Sequence, residues 1–283
     1  MPPVEGSILV TGSTDGLGRA LAHELAARGA TVLLHGRSEA RLDETRREIA
    51  STTDEARLQT HCADLASLDE VRRLAQEIER DHERLDVLVN NAGIGGGADP
   101  GLREESVDGY ELRFAVNYLA PFLLTGLLLP LLGRSAPARI VNVASVGQAP
   151  IEFDDVMLEQ SYDGMRAYSQ SKLALIMFTF ELAQRLRAEE VTVNALHPAS
   201  LMNTKMVYES FGYTMSTIED GVEATLRLVL APELDRVSGR YFDRLSEGRA
   251  HAQAYDADAR RRLWELSEEL VNLRAAAESK RHP

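Results

Sequence analysis

Strand-like and helix-like segments alternate along the first half of this sequence, and this order constrains the fold more than any other feature. Short apolar runs such as Ser7–Thr11 and Leu85–Asn90 alternate with segments that carry apolar residues at helical spacing, such as Leu17–Arg28 and Val71–Ile78. Parallel strands need such crossovers, so the order predicts a parallel sheet with helices on both faces. Continuous apolar strands such as Ile140–Val143 fit a sheet that is covered on both sides.

The second half of the chain continues the same order. Apolar helices are predicted over Phe114–Gly133 and Ala167–Arg187, and strands over Arg139–Val143 and Val191–Leu196. The sequence has no internal repeat, no low-complexity tract and no linker rich in Pro or Gly. We therefore predict that residues 1–283 form a single α/β domain, a doubly wound parallel sheet with helices on both faces. The remaining predicted elements are an irregular segment at 200–217, a helix at Ile218–Leu230, a strand near Arg240–Phe242 and a helix at 256–277.

The charge balance and the cysteine count exclude several functions. Lys and Arg number 31 against 44 Asp and Glu, a formal net charge of −13, whereas nucleic acids and anionic membrane surfaces are bound through basic patches. Cys62 is the only cysteine, so neither an intrachain disulfide nor a zinc site built from cysteines is possible. We predict no metal site. The first residues carry neither the basic nor the long apolar stretch of a secretion signal, and we expect a cytoplasmic location.

The segment Phe114–Gly133 contains no charged residue and is long enough for a transmembrane helix. Asn117, Pro121 and Pro130 interrupt it, and its flanks carry no cluster of Lys or Arg. We predict a buried helix rather than a membrane span. Together with Ala167–Arg187, this helix has more apolar surface than one sheet face can cover, which predicts a homodimer in which the two helices pair.

A glycine-rich turn, Thr11–Gly18, directly follows the first strand and precedes a helix. Its three glycines allow a tight turn, a close approach to a pyrophosphate and close packing of the helix on the strand. The N-terminus of the helix offers free N–H groups to phosphates. The alternative is an ordinary glycine-rich loop. The predicted dinucleotide contacts in this turn are Gly12, Ser13, Thr14, Gly16, Leu17 and Gly18.

The end of the second strand indicates which dinucleotide is bound. It reads Leu34-His35-Gly36-Arg37-Ser38, with no carboxylate for the ribose hydroxyls and with Arg37 available to a 2′-phosphate. A charge-assisted hydrogen bond of about 1.5–3 kcal/mol would favour NADP(H) about ten- to a hundredfold. NAD(H) stays possible, because Asp15 puts a negative charge into the phosphate turn and Arg37 could instead lie in solvent at the strand end.

Two further strand ends carry candidate ligand contacts. Asp64 follows the third strand and Asn90–Gly93 follows the fourth, and ligands of open α/β sheets bind at the carboxyl ends of the strands. Asp64 could accept a hydrogen bond from the adenine amino group, while small residues would let the backbone pass close to the adenine ribose. The predicted contacts here are Asp64, Leu65, Asn91, Ala92 and Gly93.

Tyr168 and Lys172 lie one helical turn apart and share a helix face. Acid–base chemistry by tyrosine at neutral pH needs its pKa lowered by about 3 units, or ~4 kcal/mol. An ammonium ~4.5 Å away at an effective dielectric near 20 supplies about 3.7 kcal/mol. The helix is apolar on nearly every face, so we expect Tyr168 and Lys172 to lie in a cleft rather than on a solvent-exposed surface.

Two more polar residues complete the predicted site. Ser145 lies just past the strand Arg139–Val143 and could point its hydroxyl at a substrate oxygen beside Tyr168. Asn117 lies within the uncharged helix, where a polar side chain needs a partner. It could hold a water that links Lys172 to solvent, or it could support a bent helix.

The sequence resembles the short-chain dehydrogenase/reductase family over about Ser7 to His197. The resemblance is carried by motifs that occur in this order along the chain: Thr11–Gly18, Asn90–Gly93, Asn117, Ser145, Tyr168 and Lys172. Within the family the sequence is similar to the retinol-dehydrogenase-like branch through Phe153-Asp154-Asp155, Ala167–Ala174 and Leu263–Glu268. The resemblance implies a Rossmann-like fold. It also implies an NAD(P)(H)-dependent oxidoreductase that interconverts a carbonyl and an alcohol.

The resemblance assigns roles to the polar residues. Tyr168 would protonate the carbonyl oxygen or deprotonate the alcohol, and Lys172 would lower the pKa of Tyr168 and hold the nicotinamide ribose. Ser145 would polarise the substrate oxygen, and Asn117 would support the proton relay. Contacts with the nicotinamide would come from Pro198, Ser200 and Thr204, although the Pro-Gly of the family is here Pro198-Ala199 and Thr204 stands one place late.

The expected substrate is a mostly apolar ketone or secondary alcohol held by Ser145 and Tyr168. Met202, Met206 and Phe211 of segment 200–217 would form an apolar lid over it, unless this loop packs on its own domain. Two other function classes stay open. A cyclase or dehydratase on the same scaffold would turn over without a change at 340 nm, and a non-catalytic NADP-binding module would have no need of Lys172.

Overall fold

An eight-stranded sheet forms the centre of the part of the chain that the structure describes. The structure, a computed structural model, describes residues 6–272, with the side chains of 209–211 excepted. The strands are β1 (Ser7–Val10), β2 (Thr31–Gly36), β3 (Leu58–Cys62), β4 (Val87–Asn90), β5 (Ala138–Val143), β6 (Val191–His197), β7 (Tyr241–Asp243) and β8 (Ser246–Glu247). Their order is β3-β2-β1-β4-β5-β6-β7-β8, and every neighbouring pair is parallel except β7 and β8. The strand order reverses between β1 and β4, so a ligand crevice lies at their carboxyl ends.

Helices cover both faces of the sheet, which confirms the predicted doubly wound α/β fold. One apolar core joins the sheet to α3, α5, α6 and α9, and the other joins it to α1, α2 and α8. The helices are α1 (Gly16–Ala27), α2 (Glu39–Ala50), α3 (Leu68–Asp81), α4 (Leu112–Phe114), α5 (Ala120–Arg134), α6 (Gly164–Arg185), α7 (Lys205–Phe211), α8 (Ile218–Leu230) and α9 (Ala257–Leu270).

The helical span Leu112–Arg134 contains the segment predicted to be a buried helix. Its most apolar 18-residue window has a mean hydropathy of 1.8, so the span is long and apolar enough to cross a membrane by length and composition alone. In the structure, 78% of its most apolar window is buried inside the protein. A π-helical turn, Ala115–Leu119, joins α4 to α5 and carries Asn117, and such turns are frequent at functional sites.

The C-terminal helix α9 covers the apolar faces of α5 and α6. The Trp264 ring lies 5.0 Å from the Phe122 ring and 5.9 Å from the Phe178 ring, centroid to centroid. The homodimer was predicted because the apolar faces of these two helices exceed what one sheet face can bury, but α9 of the same chain buries them. The homodimer therefore stays a prediction, and the apolar surface no longer argues for it. Of the helix predicted at 256–277, residues 273–277 lie outside the described part of the chain.

Two elements of the C-terminal half differ from the sequence prediction. The segment 200–217 is not wholly irregular, because it contains α7, whose N-cap is Thr204. The two residues of β8 extend the sheet in the antiparallel direction. Both elements are too short for periodicity to reveal them.

Candidate active site

The glycine turn lies at the crevice between β1 and β4 and leaves no space for side chains. A Cβ added to Gly18 would lie 2.1 Å from the carbonyl oxygen of Gly12, and one added to Gly12 would lie 2.9 Å from Cα of Ala92. Gly12 and Gly16 also have φ of 66° and 49°, a region that glycine adopts without strain. The turn is thus a backbone cradle of the shape that a pyrophosphate requires.

Hydrogen bonds to His35 of strand β2 fix the glycine turn in place. The Gly12 N–H donates to Nδ1 of His35 (3.1 Å), and the Ser13 N–H donates to the His35 carbonyl (2.8 Å). The His35 N–H in turn donates to Oγ of Ser13 (2.8 Å). Ser13 is fully buried, so it ties the turn to β2, which corrects the prediction that it contacts the dinucleotide. His35 was not singled out from the sequence, and burial lowers its pKa to about 4.

The loop after β4 is bound to the same turn. Nδ2 of Asn91 donates to the carbonyls of Thr11 (2.8 Å) and Gly12 (3.2 Å). Oγ1 of Thr11 accepts the N–H groups of Asn91 (2.9 Å) and Ala92 (3.0 Å). The glycine turn after β1 and the loop after β4 are therefore hydrogen-bonded to each other. Thr11 links them, a role that sequence reasoning missed.

The residues predicted to meet the adenosine half lie at the ends of β2 and β3. Arg37 is exposed and makes no hydrogen bond or ion pair with any other described residue. Asp15 is the N-cap of α1 and accepts the Gly16 N–H at 2.7 Å. Asp64 accepts the Ala66 N–H at 3.0 Å. The side chain of Leu65 belongs to the apolar core.

Ser145, Tyr168 and Lys172 meet next to the carboxyl end of β5. A Cβ placed on Gly147 would lie 3.5 Å from Oγ of Ser145 and 3.6 Å from Cε1 of Tyr168, so both side chains face one point. Nζ of Lys172 donates to the Val143 carbonyl (2.9 Å) and lies 5.8 Å from the centroid of the Tyr168 ring. The structure thus brings together the three side chains that the sequence placed in one site.

Asn117 joins the loop after β4 to helix α6. Its Oδ1 accepts the Ile94 N–H (2.8 Å), and its Nδ2 donates to the Ile94 carbonyl and to Oγ of Ser171 (both 3.0 Å). A Cβ on Gly93 would lie 3.2 Å from both Oδ1 of Asn117 and Nζ of Lys172. The side chain therefore supports the neighbouring loop rather than its own bent helix.

Burial shifts the pKa values of Tyr168 and Lys172. It lowers the pKa of Lys172 to about 8. It also raises the pKa of Tyr168, which the hydrogen bond to Ser145 partly offsets. The expected lowering of the Tyr168 pKa by Lys172 is not seen here, because loss of hydration is the largest influence and raises that pKa. The site accordingly holds Tyr168 as a neutral phenol, the form that donates a proton.

The segment after β6 lies over the glycine turn. A Cβ on Gly16 would be 3.2 Å from the methyl group of Thr204, while Oγ1 of Thr204 accepts the Val207 N–H. Oγ of Ser200 is 3.1 Å from Nε2 of His197, and Pro198 is buried. Thr204 is therefore close to the glycine turn, although it stands one residue later than the corresponding Thr of the family motif. A cavity of about 560 Å³ opens here, lined by Asn203, Thr204, Lys205, Tyr208 and Thr214.

The predicted lid residues separate into different environments. A Cβ on Gly221 would lie 2.4 Å from Sδ of Met202, and Met202 packs against the core of α1 and α8. Met202 is partly buried and packs on α8, so its contact with a substrate stays a prediction. Met206 is 38% exposed. The side chain of Phe211 lies outside the described part of the protein.

Comparison with known proteins agrees with this geometry. The sequence profile of the short chain dehydrogenase family matches residues 7–212, and the chain belongs to this family. It is similar to retinol dehydrogenase 14 from Homo sapiens, with 40% identity over 94% of this chain and 86% of the relative. With retinol dehydrogenase 13 from Mus musculus the identity is 38%, over 95% and 85%. Within the family the protein is therefore retinol-dehydrogenase-like.

Solved structures show the same architecture. An uncharacterized protein from Mycobacterium paratuberculosis superposes with a TM-score of 0.77 at 30% identity, over 96% of both chains. A short chain dehydrogenase from Shigella flexneri in complex with NADP superposes with a TM-score of 0.70 at 31% identity, over 84% of this chain and 96% of that one. The glycine cradle fits a dinucleotide. The protein is an NAD(P)-dependent oxidoreductase of the alcohol/carbonyl class.

Proposed function

We propose that the protein interconverts a mostly apolar ketone or secondary alcohol with NADP(H) as the preferred cofactor. The observation that carries the proposal is the convergence of Ser145 and Tyr168 on one point, with Nζ of Lys172 and the Gly93 backbone beside them. An acid and a second hydrogen-bond donor that face one position can bind a single substrate oxygen.

Each catalytic side chain has a task that its geometry supports. When bound, the nicotinamide supplies or takes up the hydride. In the reducing direction, the neutral phenol of Tyr168 donates its proton to the substrate oxygen, and Oγ of Ser145 donates a hydrogen bond to the same oxygen. Lys172, whose Nζ lies between the Val143 carbonyl and Gly93, would hold the nicotinamide ribose. Asn117 holds the backbone at Ile94 in place.

The preference for NADP(H) rests on the environment of Arg37. Its guanidinium is exposed at the end of β2 and has no partner among the described residues, so it is available to a 2′-phosphate. Asp15, the N-cap of α1, weighs against added negative charge beside the turn. The Shigella flexneri relative was solved with NADP and another from Escherichia coli with NADPH, which supports the same choice.

The apolar substrate class rests on the segment beside the cavity. Met206, Tyr208 and Met215 are 38%, 66% and 70% exposed, and Tyr208 lines the cavity. Exposed apolar side chains in a segment beside a cavity favour an apolar ligand. The two relatives are named for retinol, a mostly apolar primary alcohol, so their names support the apolar character of the substrate alone. We propose this class of substrate without naming one member.

The test is a panel of ketones, aldehydes and secondary alcohols assayed at 340 nm with NADP(H) and with NAD(H). We expect Tyr168→Phe to lose at least a hundredfold in kcat. Arg37→Asp should shift the cofactor preference at least tenfold toward NAD(H), whereas the matched control Arg187→Asp, at an exposed arginine, should not. Full activity of Tyr168→Phe would refute the proposal. Turnover without a change at 340 nm would instead favour the cyclase or dehydratase.

A further inference from the structure

The carbonyl oxygen of Ser145 accepts two hydrogen bonds from side chains that the mechanism has not used. The Tyr241 hydroxyl donates to it at 3.1 Å, and Nε2 of Gln148 donates at 2.9 Å. Oε1 of Gln148 accepts the His251 N–H at 2.7 Å, so the amide of Gln148 is itself fixed. We refer to the two donors Tyr241 and Gln148 as the serine clamp.

The backbone at Ser145 needs such a support. Strand β5 ends at Val143, and the last ladder bond runs from the Ala144 N–H to the Leu196 carbonyl (2.8 Å). Beyond it, Ser145 is held within its own loop by the bond from the Gly147 N–H to its Oγ (3.0 Å). The clamp sets the plane of the peptide after Ser145, and therefore the direction in which its Oγ points.

Tyr241 is placed to hold this carbonyl and is itself buried. It is the first residue of β7, pairs with Ala195 of β6, and is 3% exposed. Burial raises the pKa of Tyr241, and the nearby Asp243 carboxylate acts in the same direction. The hydroxyl thus keeps its proton and remains a donor at every pH at which the protein works.

We propose that Tyr241 is a positioning residue of the reaction, which acts by aiming the Ser145 hydroxyl at the substrate oxygen. This inference rests on the proposed function, because Ser145 is assigned there to the reacting oxygen. An interaction that is needed most in the transition state changes kcat more than KM.

The first measurement is the steady-state kinetics of Tyr241→Phe, which removes the hydroxyl and keeps the ring. We expect kcat to fall about two- to tenfold, the factor that one hydrogen bond supplies, with KM within twofold of the wild type. In the Ser145→Ala background, the same substitution should have no further effect on kcat, because the group that it positions is gone. Equal losses in both backgrounds would overturn the proposal.

The second measurement does not need turnover. The hydrogen bond from Ser145 lowers the pKa of Tyr168, so a misdirected Ser145 should leave that pKa higher. We would follow Tyr168 by NMR titration of protein labelled with ring-¹³C tyrosine and assign its signal with Tyr168→Phe. The titration midpoint should rise in Tyr241→Phe and stay unchanged when Tyr241→Phe is added to Ser145→Ala. An unchanged midpoint in Tyr241→Phe would overturn the proposal.

A matched control is Tyr110→Phe, because the Tyr110 hydroxyl also donates to a backbone carbonyl, that of Leu270, at 2.8 Å. It should lose a similar amount of stability with neither kinetic nor NMR change. If it reproduces the effects of Tyr241→Phe, the role of Tyr241 is structural only. If the wild type turns over no carbonyl or alcohol, the proposed function fails, while the NMR titration still decides whether Tyr241 controls Ser145.

Discussion

Because of His35, the free energy of unfolding should decrease as the pH is lowered below neutrality. The imidazole is 2% exposed beneath the glycine turn, and its Nδ1 accepts the Gly12 N–H. An imidazolium could not accept this bond, and its charge would have no hydration at this depth. The neutral form is thus the one that fits the fold, and burial lowers the pKa of His35 from 6.5 to about 4.

The size and the sign of the effect follow from these two values. As pH falls below 6.5, the unfolded chain takes up a proton on His35 before the folded protein does, so the stabilisation present above that pH is lost progressively until about pH 4. The whole difference corresponds to about 3 kcal/mol of unfolding free energy. About 2 kcal/mol of it should disappear between pH 7 and pH 5.

The assay is denaturant unfolding at pH 7 and pH 5 for the wild type, His35→Asn and a control, His23→Asn. An asparagine oxygen can still accept the Gly12 N–H but does not titrate. His61, His82 and His197, whose pKa values are also lowered by burial, remain in every protein, so the difference reports His35. We expect His35→Asn to lose about 2 kcal/mol less than the wild type between the two pH values. Equal losses would refute the reasoning.

Three further predictions concern the cradle, the C-terminal helix and the proton relay. Gly18→Ala should weaken NADPH binding at least tenfold in a fluorescence titration, because its Cβ would lie 2.1 Å from the Gly12 oxygen, whereas Gly133→Ala, with nothing within 4 Å, should not; unchanged affinity in Gly18→Ala would contradict this. Trp264→Ala should lower the free energy of unfolding by about 3 kcal/mol and cause self-association in light scattering; a stable monomer would disprove the covering role of α9. The kcat/KM for reduction should fall as pH rises through about 8, the pKa of Lys172. In Lys172→Arg the pH at which kcat/KM falls should rise by at least about one unit. If it does not, the fall reports the titration of another group.

The sequence predicted the features of the fold that depend on local patterns. The order of strands and helices followed from apolar periodicity, and α8 has the predicted bounds, Ile218–Leu230. The roles of Gly12 and Gly18 followed from the absence of a side chain, which is a property of the residue itself. Tyr168 and Lys172 were paired correctly because helical spacing alone places them on one face.

What the sequence could not predict depends on contacts between distant segments. Ser13 and Met202 lie in the predicted loops, but tertiary packing turns their side chains into the protein. Tyr241 is 96 residues from Ser145, and no local pattern connects them. The pKa of Tyr168 depends on burial that only the folded chain creates. The homodimer and the cytoplasmic location stay predictions.

The hydrogen bond from Tyr241 to Ser145 has a consequence for protein engineering. The family profile ends at residue 212, and a designer could treat everything after it as an exchangeable tail that only adjusts which molecules enter. In this protein the residues after 212 also hold the backbone of Ser145, through Tyr241 and the His251–Gln148 pair. If Tyr241 positions Ser145 as proposed, a chimera that replaces these residues with a sequence lacking this tyrosine should change the reaction rate as well as the choice of substrate.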